Sequence, residues 1–339
     1  METYEPIFII TPEILNLVYD IAGILERINI IKEKSLTPKL RRENRIKTIH
    51  SSLWIEANTL TLEQVTDIMN GKRVIGSEKD ILEAKNAIIA YDELLKCNPY
   101  NEKDLLNQHA LLMNGLIKDA GKYRQGGIGV FSGDVPVHVA PPPSRVPILM
   151  SLLLEWTKKA ELPQIVKSCI FHYEFEFIHP FSDGNGRMGR MWQTLLLYQE
   201  NQILAWLPVE TIIAQKQSEY YQAIRRSTQN NDSGIFTYFM LQAIKDSILV
   251  YKNTSQNASI EYAGINAGIN AGIKLSKTQE KILSLIGKQD NITQEEIAKK
   301  IKISVSTVFR NIEKLKQLNL LSRNGARKDG LWVIKRGKP

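Results

Sequence analysis

The chain has 339 residues, 43% of them apolar, enough for two domains with a buried core. Its only cysteines, Cys97 and Cys169, exclude a disulfide framework; its five histidines show no zinc-site spacing, and no apolar run approaches membrane-span length. The start lacks the basic region of a signal peptide, so a cytoplasmic protein without membrane contact is expected. The charge is uneven: from Lys274 onward there are 16 Lys and Arg against 6 Asp and Glu, whereas the preceding residues carry 28 against 30. This predicts a basic, nucleic-acid-facing tail on a near-neutral body.

In chain order, apolar periodicity predicts helices over residues 12–31, 77–95 and 102–117. Thr61 with Gln64 forms a capping-box pattern that opens a further helix. Residues 126–143 set β-branched residues between glycines and prolines, which reads as a short hairpin over 128–140. Helices resume at Ser144, with Ile148, Leu152 and Trp156 on one face. Residues 165–178 place Val166, Ile170, Tyr173 and Phe177 at helical spacing, and Pro180 stops that helix beside His179. Another apolar run spans 188–198.

Between these last two helices lies His179-Pro180-Phe181-Ser182-Asp183-Gly184-Asn185-Gly186-Arg187-Met188-Gly189-Arg190. An imidazole can take a proton from a hydroxyl near neutral pH, and a carboxylate can hold Mg²⁺. A Gly-Asn-Gly turn ahead of a helix offers backbone N–H groups to phosphate oxygens. Arg187 and Arg190, three apart on one helical face, can grip further phosphates through their planar forks. A tight turn flanked by solvated arginines is the plainer explanation, but a turn does not need so many chemical groups. No loop ends in Gly-Lys-Ser or Gly-Lys-Thr, which excludes a P-loop.

This string resembles the Fic family signature, His-x-Phe-x-(Asp/Glu)-Gly-Asn-Gly-Arg-x-x-Arg, at every specified position. The resemblance implies a mostly α fold: a Fic helical core with a small β-hairpin flap, transferring AMP from ATP to a Tyr, Thr or Ser hydroxyl of a target protein. It implies His179 as general base, Asp183 as ligand of Mg²⁺ (or Mn²⁺), and Gly184, Asn185 and Gly186 as the anion hole. Arg187 would hold the outer phosphates and Arg190 the γ-phosphate. Val137, His138 and Val139 would be the flap edge that pairs with the target backbone, although an ordinary surface hairpin has the same pattern. Residues 218–226 resemble the adenine-pocket segment, with Tyr220 or Tyr221 on the base or ribose. Thr228 stands where the family often has Asn. Residues 51–60 resemble the family's inhibitory motif through Ser52, Glu56 and Asn58, but Ala57 departs from the usual Gly or Asn. A Glu there would pair with Arg190 and block the γ-phosphate position. De-AMPylation at the same site, another donor, and a DNA-binding regulator sensing nucleotide stand as alternatives.

Residues 253–274, ending in the repeat AGIN-AGIN-AGIK, read as a semi-flexible linker, with a helix pairing two subunits (a homodimer) as the alternative. Helices follow over 276–286, from N-cap Thr293 with Glu296, and over 305–318, then two strands within 320–334. This resembles a winged helix-turn-helix domain, whose Ser304, Ser306, Thr307 and Arg310 would face the DNA major groove, with Arg327 and Lys328 on the wing. A winged helix used for protein contacts is the alternative. The domain organisation expected is an N-terminal helical region with the inhibitory motif (1–100), Fic core (101–252), linker (253–274) and winged helix (275–339).

Overall fold

The computed structural model describes residues 4–30, 38–127, 129–132, 135–269, 275–318, 320–324 and 331–334. Residues up to Val250 form one compact unit, apart from a short stretch near residue 33, and those from Tyr251 a second. The first unit is helical apart from one hairpin. Its elements are α1 (Pro12–Ile30), α2 (Pro38–Ile55), α3 (Leu62–Met69), α4 (Glu78–Leu94), α5 (Glu102–Leu112), β1 (Gly129–Ser132) and β2 (Val135–Val139). They continue with α6 (Val146–Lys159), α7 (Gln164–Ile178), α8 (Asn185–Glu200), α9 (Val209–Gln215), α10 (Gln217–Asn230) and the first half of α11 (Gly234–Ile269), whose residues from Tyr251 belong to the second unit.

The centre is the α7–α8 pair. Helix α7 is buried on nearly every side, and its buried polar side chains Ser168, His172 and Glu174 have hydrogen-bond partners in Ile165, Gln193 and Tyr4. Leu53 and Ile49 of α2, Leu94 of α4, Leu105 of α5, Phe171 and Phe175 of α7, and Met191 and Trp192 of α8 share one core. Residues up to 100 and the segment after them therefore share one core. Trp192 satisfies its indole N–H on the Pro99 carbonyl at 3.0 Å.

Local signals set the element ends. Thr61 and Gln64 bond reciprocally at the start of α3, and Ser77 caps α4. Helix α5 stops short of the expected residue 117 because Gly115 takes a φ of 71°, outside the helical region. Helix α8 begins three residues before its first apolar position. Asn185 makes that start possible: its side chain accepts from the Phe181 N–H and donates to the Phe181 carbonyl, both at 2.9 Å. The segment read as a linker is helical as far as Ile269. Each AGIN unit pairs its glycine with an alanine and repeats isoleucine every four residues, which lets a helix run through despite the glycine cost. Residues 270–274 lie outside the described residues.

In the second unit, α12 (Lys277–Lys288), α13 (Gln294–Ile301) and α14 (Val305–Gln317) precede β3 (Leu321–Asn324) and β4 (Leu331–Ile334), an antiparallel pair. Ser276 and Thr293 form capping boxes at the starts of α12 and α13. Ile282, Ile286, Ile297, Val308, Ile312, Leu315 and Trp332 make its core, and Trp332 donates to the Ile292 carbonyl at 2.8 Å. This is the expected helix-turn-helix with a two-stranded wing.

Candidate active site

The signature string forms the α7–α8 connection, and almost every residue of that connection is tied down. His179 takes the left-handed conformation (φ 50°) that ends α7. Its Nδ1 faces the Glu176 carbonyl at 3.4 Å, so a proton held there leaves the Nε2 lone pair open. Arg124 donates from Nε to the His179 carbonyl at 2.7 Å, Ser182 bonds Asp119 at 2.8 Å, and Asn185 holds Phe181. Fully buried His109 bonds the Asp183 carbonyl through Nε2 at 3.0 Å, accepts the Gly121 N–H at Nδ1, and stacks on Phe181. That pattern fixes it as the neutral Nε2–H tautomer, and burial pushes its pKa down to about 4.

Helix α8 then opens without a side-chain cap. Gly184, at φ 83°, is its N-cap, so the first N–H groups of the helix, those of Asn185 and Gly186 among them, have no intrahelical partner. A Cβ on Gly184 would lie 2.7 Å from the Met113 sulfur, and one on Gly186 would collide with the Glu56 carboxylate. The asparagine contributes its backbone to this cradle, since its side chain is spent on Phe181. Asp183 is half-exposed; its Oδ1 accepts from the Gly184 N–H at 2.6 Å and from Arg187 at 3.2 Å. A lone accessible carboxylate at an anion cradle suits Mg²⁺, which takes one or two carboxylates and fills its shell with phosphate oxygens and water.

Both arginines of the signature are buried and engaged. Arg187 pairs with Glu83 at 3.0 Å, and the second oxygen of Glu83 accepts from Asn58 at 2.8 Å. Arg190, 2% exposed, donates to the Ser52 hydroxyl at 3.2 Å, the Ser52 carbonyl at 3.0 Å and Glu56 at 2.7 Å. Burial alone would lower the Arg190 pKa; the Glu56 carboxylate reverses this and raises it. Ser52, Glu56 and Asn58 thus reach both arginines. Glu56 and Ser52 touch Arg190, and Asn58 reaches Arg187 through Glu83.

A Fic/DOC family model matches residues 99–197, and a winged helix-turn-helix DNA-binding model matches residues 275–322. The crystal structure of a Fic family protein from Desulfovibrio desulfuricans G20 is 39% identical, covering 99% of this chain and 100% of its own, with a TM-score of 0.74. The chain belongs to the Fic family. Protein adenylyltransferase Fic of Aedes aegypti is 27% identical over 63% of this chain and 43% of its own length. The enzyme of the same name from Drosophila willistoni is 24% identical over 66% and 44%. The chain thus spans less than half the length of these curated relatives.

In this Fic protein Glu56 lies just past the end of a helix. Helix α2 ends at Ile55, and Glu56 is the residue that closes it. Ala57 follows at φ 64°, its N–H on the Trp54 carbonyl (3.0 Å) and the Asn58 N–H on the Leu53 carbonyl (3.1 Å). Those paired bonds are the left-handed helix cap that glycine or asparagine normally fills. The family's preference at this position therefore has a backbone cause, and alanine bears a left-handed strain of roughly 1–2 kcal/mol. Ala57→Gly is expected to stabilise the chain by about 1 kcal/mol and to hold Glu56 on Arg190 more firmly. Thermal unfolding together with basal transfer activity checks this: the melting temperature should rise and the activity fall.

The expected adenine pair divides. Tyr220 is a core residue, 1% exposed, with its hydroxyl on His172 at 3.1 Å and its ring among Tyr221, Phe236 and Phe239. Its burial against α7 and α11 leaves it no open face for a base. Tyr221, 38% exposed on the same helix, keeps an open face. Thr228 bonds Tyr173 at 3.2 Å. In the hairpin, Val139 pairs with Gly129 and His138 with Val130, and Val137 falls at the irregularity where the register shifts. The two-stranded sheet leaves the outer edge of β2 without a strand neighbour among the described residues. In the second unit, Ser304 caps α14 and Ser306 and Arg310 are exposed near its start, with Thr307 half-buried; Arg327 and Lys328 lie outside the described residues. Sequence reasoning missed Glu83, Arg124 and His109 as site residues. They come from α4, the chain ahead of β1, and α5, and no local spacing links them to the signature.

Proposed function

We propose that this Fic protein transfers AMP from ATP to the hydroxyl of a Tyr, Thr or Ser side chain on a target protein, and that Glu56 holds this activity down. The observation that carries the reading is the Glu56 carboxylate, which sits on Arg190 at 2.7 Å and crowds the first turn of α8 at Gly186. An anion occupies an anion cradle. The adenylyltransferase names of the curated relatives support the reaction class.

When ATP replaces that carboxylate, the backbone N–H groups at the start of α8 bind the α-phosphate, and Arg187 and Arg190 bind the outer phosphates. Mg²⁺, when held by Asp183, would neutralise phosphate charge. His179 Nε2 takes the proton of the target hydroxyl as its oxygen bonds to the α-phosphorus; the bond to the bridging oxygen breaks and pyrophosphate leaves. The open edge of β2 at residues 137–139 pairs with the target backbone and sets the hydroxyl before His179. Tyr221 stacks on the adenine.

Incubating the full chain carrying Glu56→Gly with ATP labelled at the α- or the γ-phosphate tests the reaction class. Only the α-label should stay on protein, and transfer of the γ-label instead would reject AMP transfer in favour of phosphorylation. For the tail, the basic excess and the DNA-binding family model support DNA contact by the start of α14. Its affinity should fall steeply with salt and vanish on removal of residues 275–339.

A further inference from the structure

Arg124 has a bonding pattern that neither the signature nor the inhibitory motif accounts for. Its guanidinium is 1% exposed, and no acidic side chain among the described residues pairs with it. Four backbone carbonyls surround it instead. Nε donates to His179 at 2.7 Å, one terminal nitrogen to Gly126 at 2.9 Å, and the other to Pro141 at 2.6 Å and Ile178 at 3.3 Å. Its own N–H donates to the Pro180 carbonyl at 3.0 Å.

These acceptors belong to three separate chain segments. Gly126 precedes β1 and Pro141 follows β2, so they are the two feet of the hairpin. Ile178 and His179 end α7, where the last carbonyls have no helical partner and carry the negative end of the helix dipole. One planar cation thus ties both feet of the hairpin to the residue that presents the base. Only arginine has enough N–H groups in a fixed fork for this; lysine has three donors on one nitrogen and cannot span the set.

We propose that Arg124 is the positioning residue that fixes the distance between the target-docking hairpin and His179, so that a strand paired to β2 delivers its hydroxyl within reach of Nε2. This rests on the reading of the hairpin as the docking edge and of His179 as the base. A misplacement of about 1 Å is enough to cost roughly a hundredfold in rate, whereas the phosphate cradle on α8 shares no hydrogen bond with Arg124.

The test uses the full chain with Glu56→Gly as parent, and adds Arg124→Lys. Label transfer at saturating ATP should fall at least ~10-fold, while affinity for a non-hydrolysable ATP analogue stays within about twofold. In Arg124→Ala, added methylguanidinium should restore transfer without changing analogue affinity. An unchanged transfer rate, or analogue affinity falling in step with transfer and with thermal stability, would overturn the proposal. If the parent transfers no label, the enzymatic reading has failed, and amide NMR still decides on the linkage. Arg124→Lys must shift the signals of residues 129–132, 135, 137–139 and 179 together and leave those of 185–190 in place. Shifts confined to one of these groups, or spread over all, reject it.

Discussion

His179→Ala is expected to lower AMP transfer by about 10²–10⁴-fold while leaving ATP binding close to that of the parent protein. The reason is spatial. The ring sits at the end of α7 with Nδ1 toward the Glu176 carbonyl, so Nε2 is the atom left to accept a proton. No phosphate-binding group depends on the imidazole: the cradle is built from α8 N–H groups, and Arg187 and Arg190 are held by Glu83, Ser52 and Glu56. Because His179 has positive φ, the cleaner replacement is His179→Asn, which tolerates the left-handed conformation and should be equally inactive. Transfer at parental rate by either variant, with nucleotide binding intact, would remove His179 from the reaction.

Much of this architecture was legible because its signals are local. Helix periodicity, the capping boxes at Thr61 and Thr293 and the Pro180 stop are all written within one or two turns, and the helices they predict appear, whereas α2 and the helical course of the expected linker do not follow from them. The signature was legible for the same reason: twelve consecutive residues carry the imidazole, the carboxylate, the Gly-Asn-Gly turn and both arginines. What escaped was whatever depends on distant segments. Glu83 lies 104 residues from Arg187, and Arg124 lies 55 from His179. A charged side chain that ends buried against backbone carbonyls looks, in sequence, like one on a solvated face. Tyr220 and Tyr221 are adjacent and chemically identical, so only the facing of α10 separates the core residue from the exposed one. Ala57 was the reverse case. Its departure from the motif was visible, but its cause, a left-handed helix cap, is a backbone fact.

Glu56→Gly is expected to raise transfer by about 10²–10³-fold, the scale of one preorganised charged donor in a transition state. With the carboxylate gone, Arg190 keeps its two bonds to Ser52 and regains a free edge for the outer phosphates, and the space over Gly186 opens. Arg190→Ala should be inactive, because it removes the clamp itself. Releasing a block cannot restore a group that is absent, so the two changes must not add.

The most direct measurement is therefore the transfer of α-labelled AMP by four forms of the full chain: parent, Glu56→Gly, Arg190→Ala and the double variant. The account predicts a strong rise for Glu56→Gly alone and baseline labelling for both forms that lack Arg190. A double variant as active as Glu56→Gly, or a folded Glu56→Gly no faster than the parent, would contradict it.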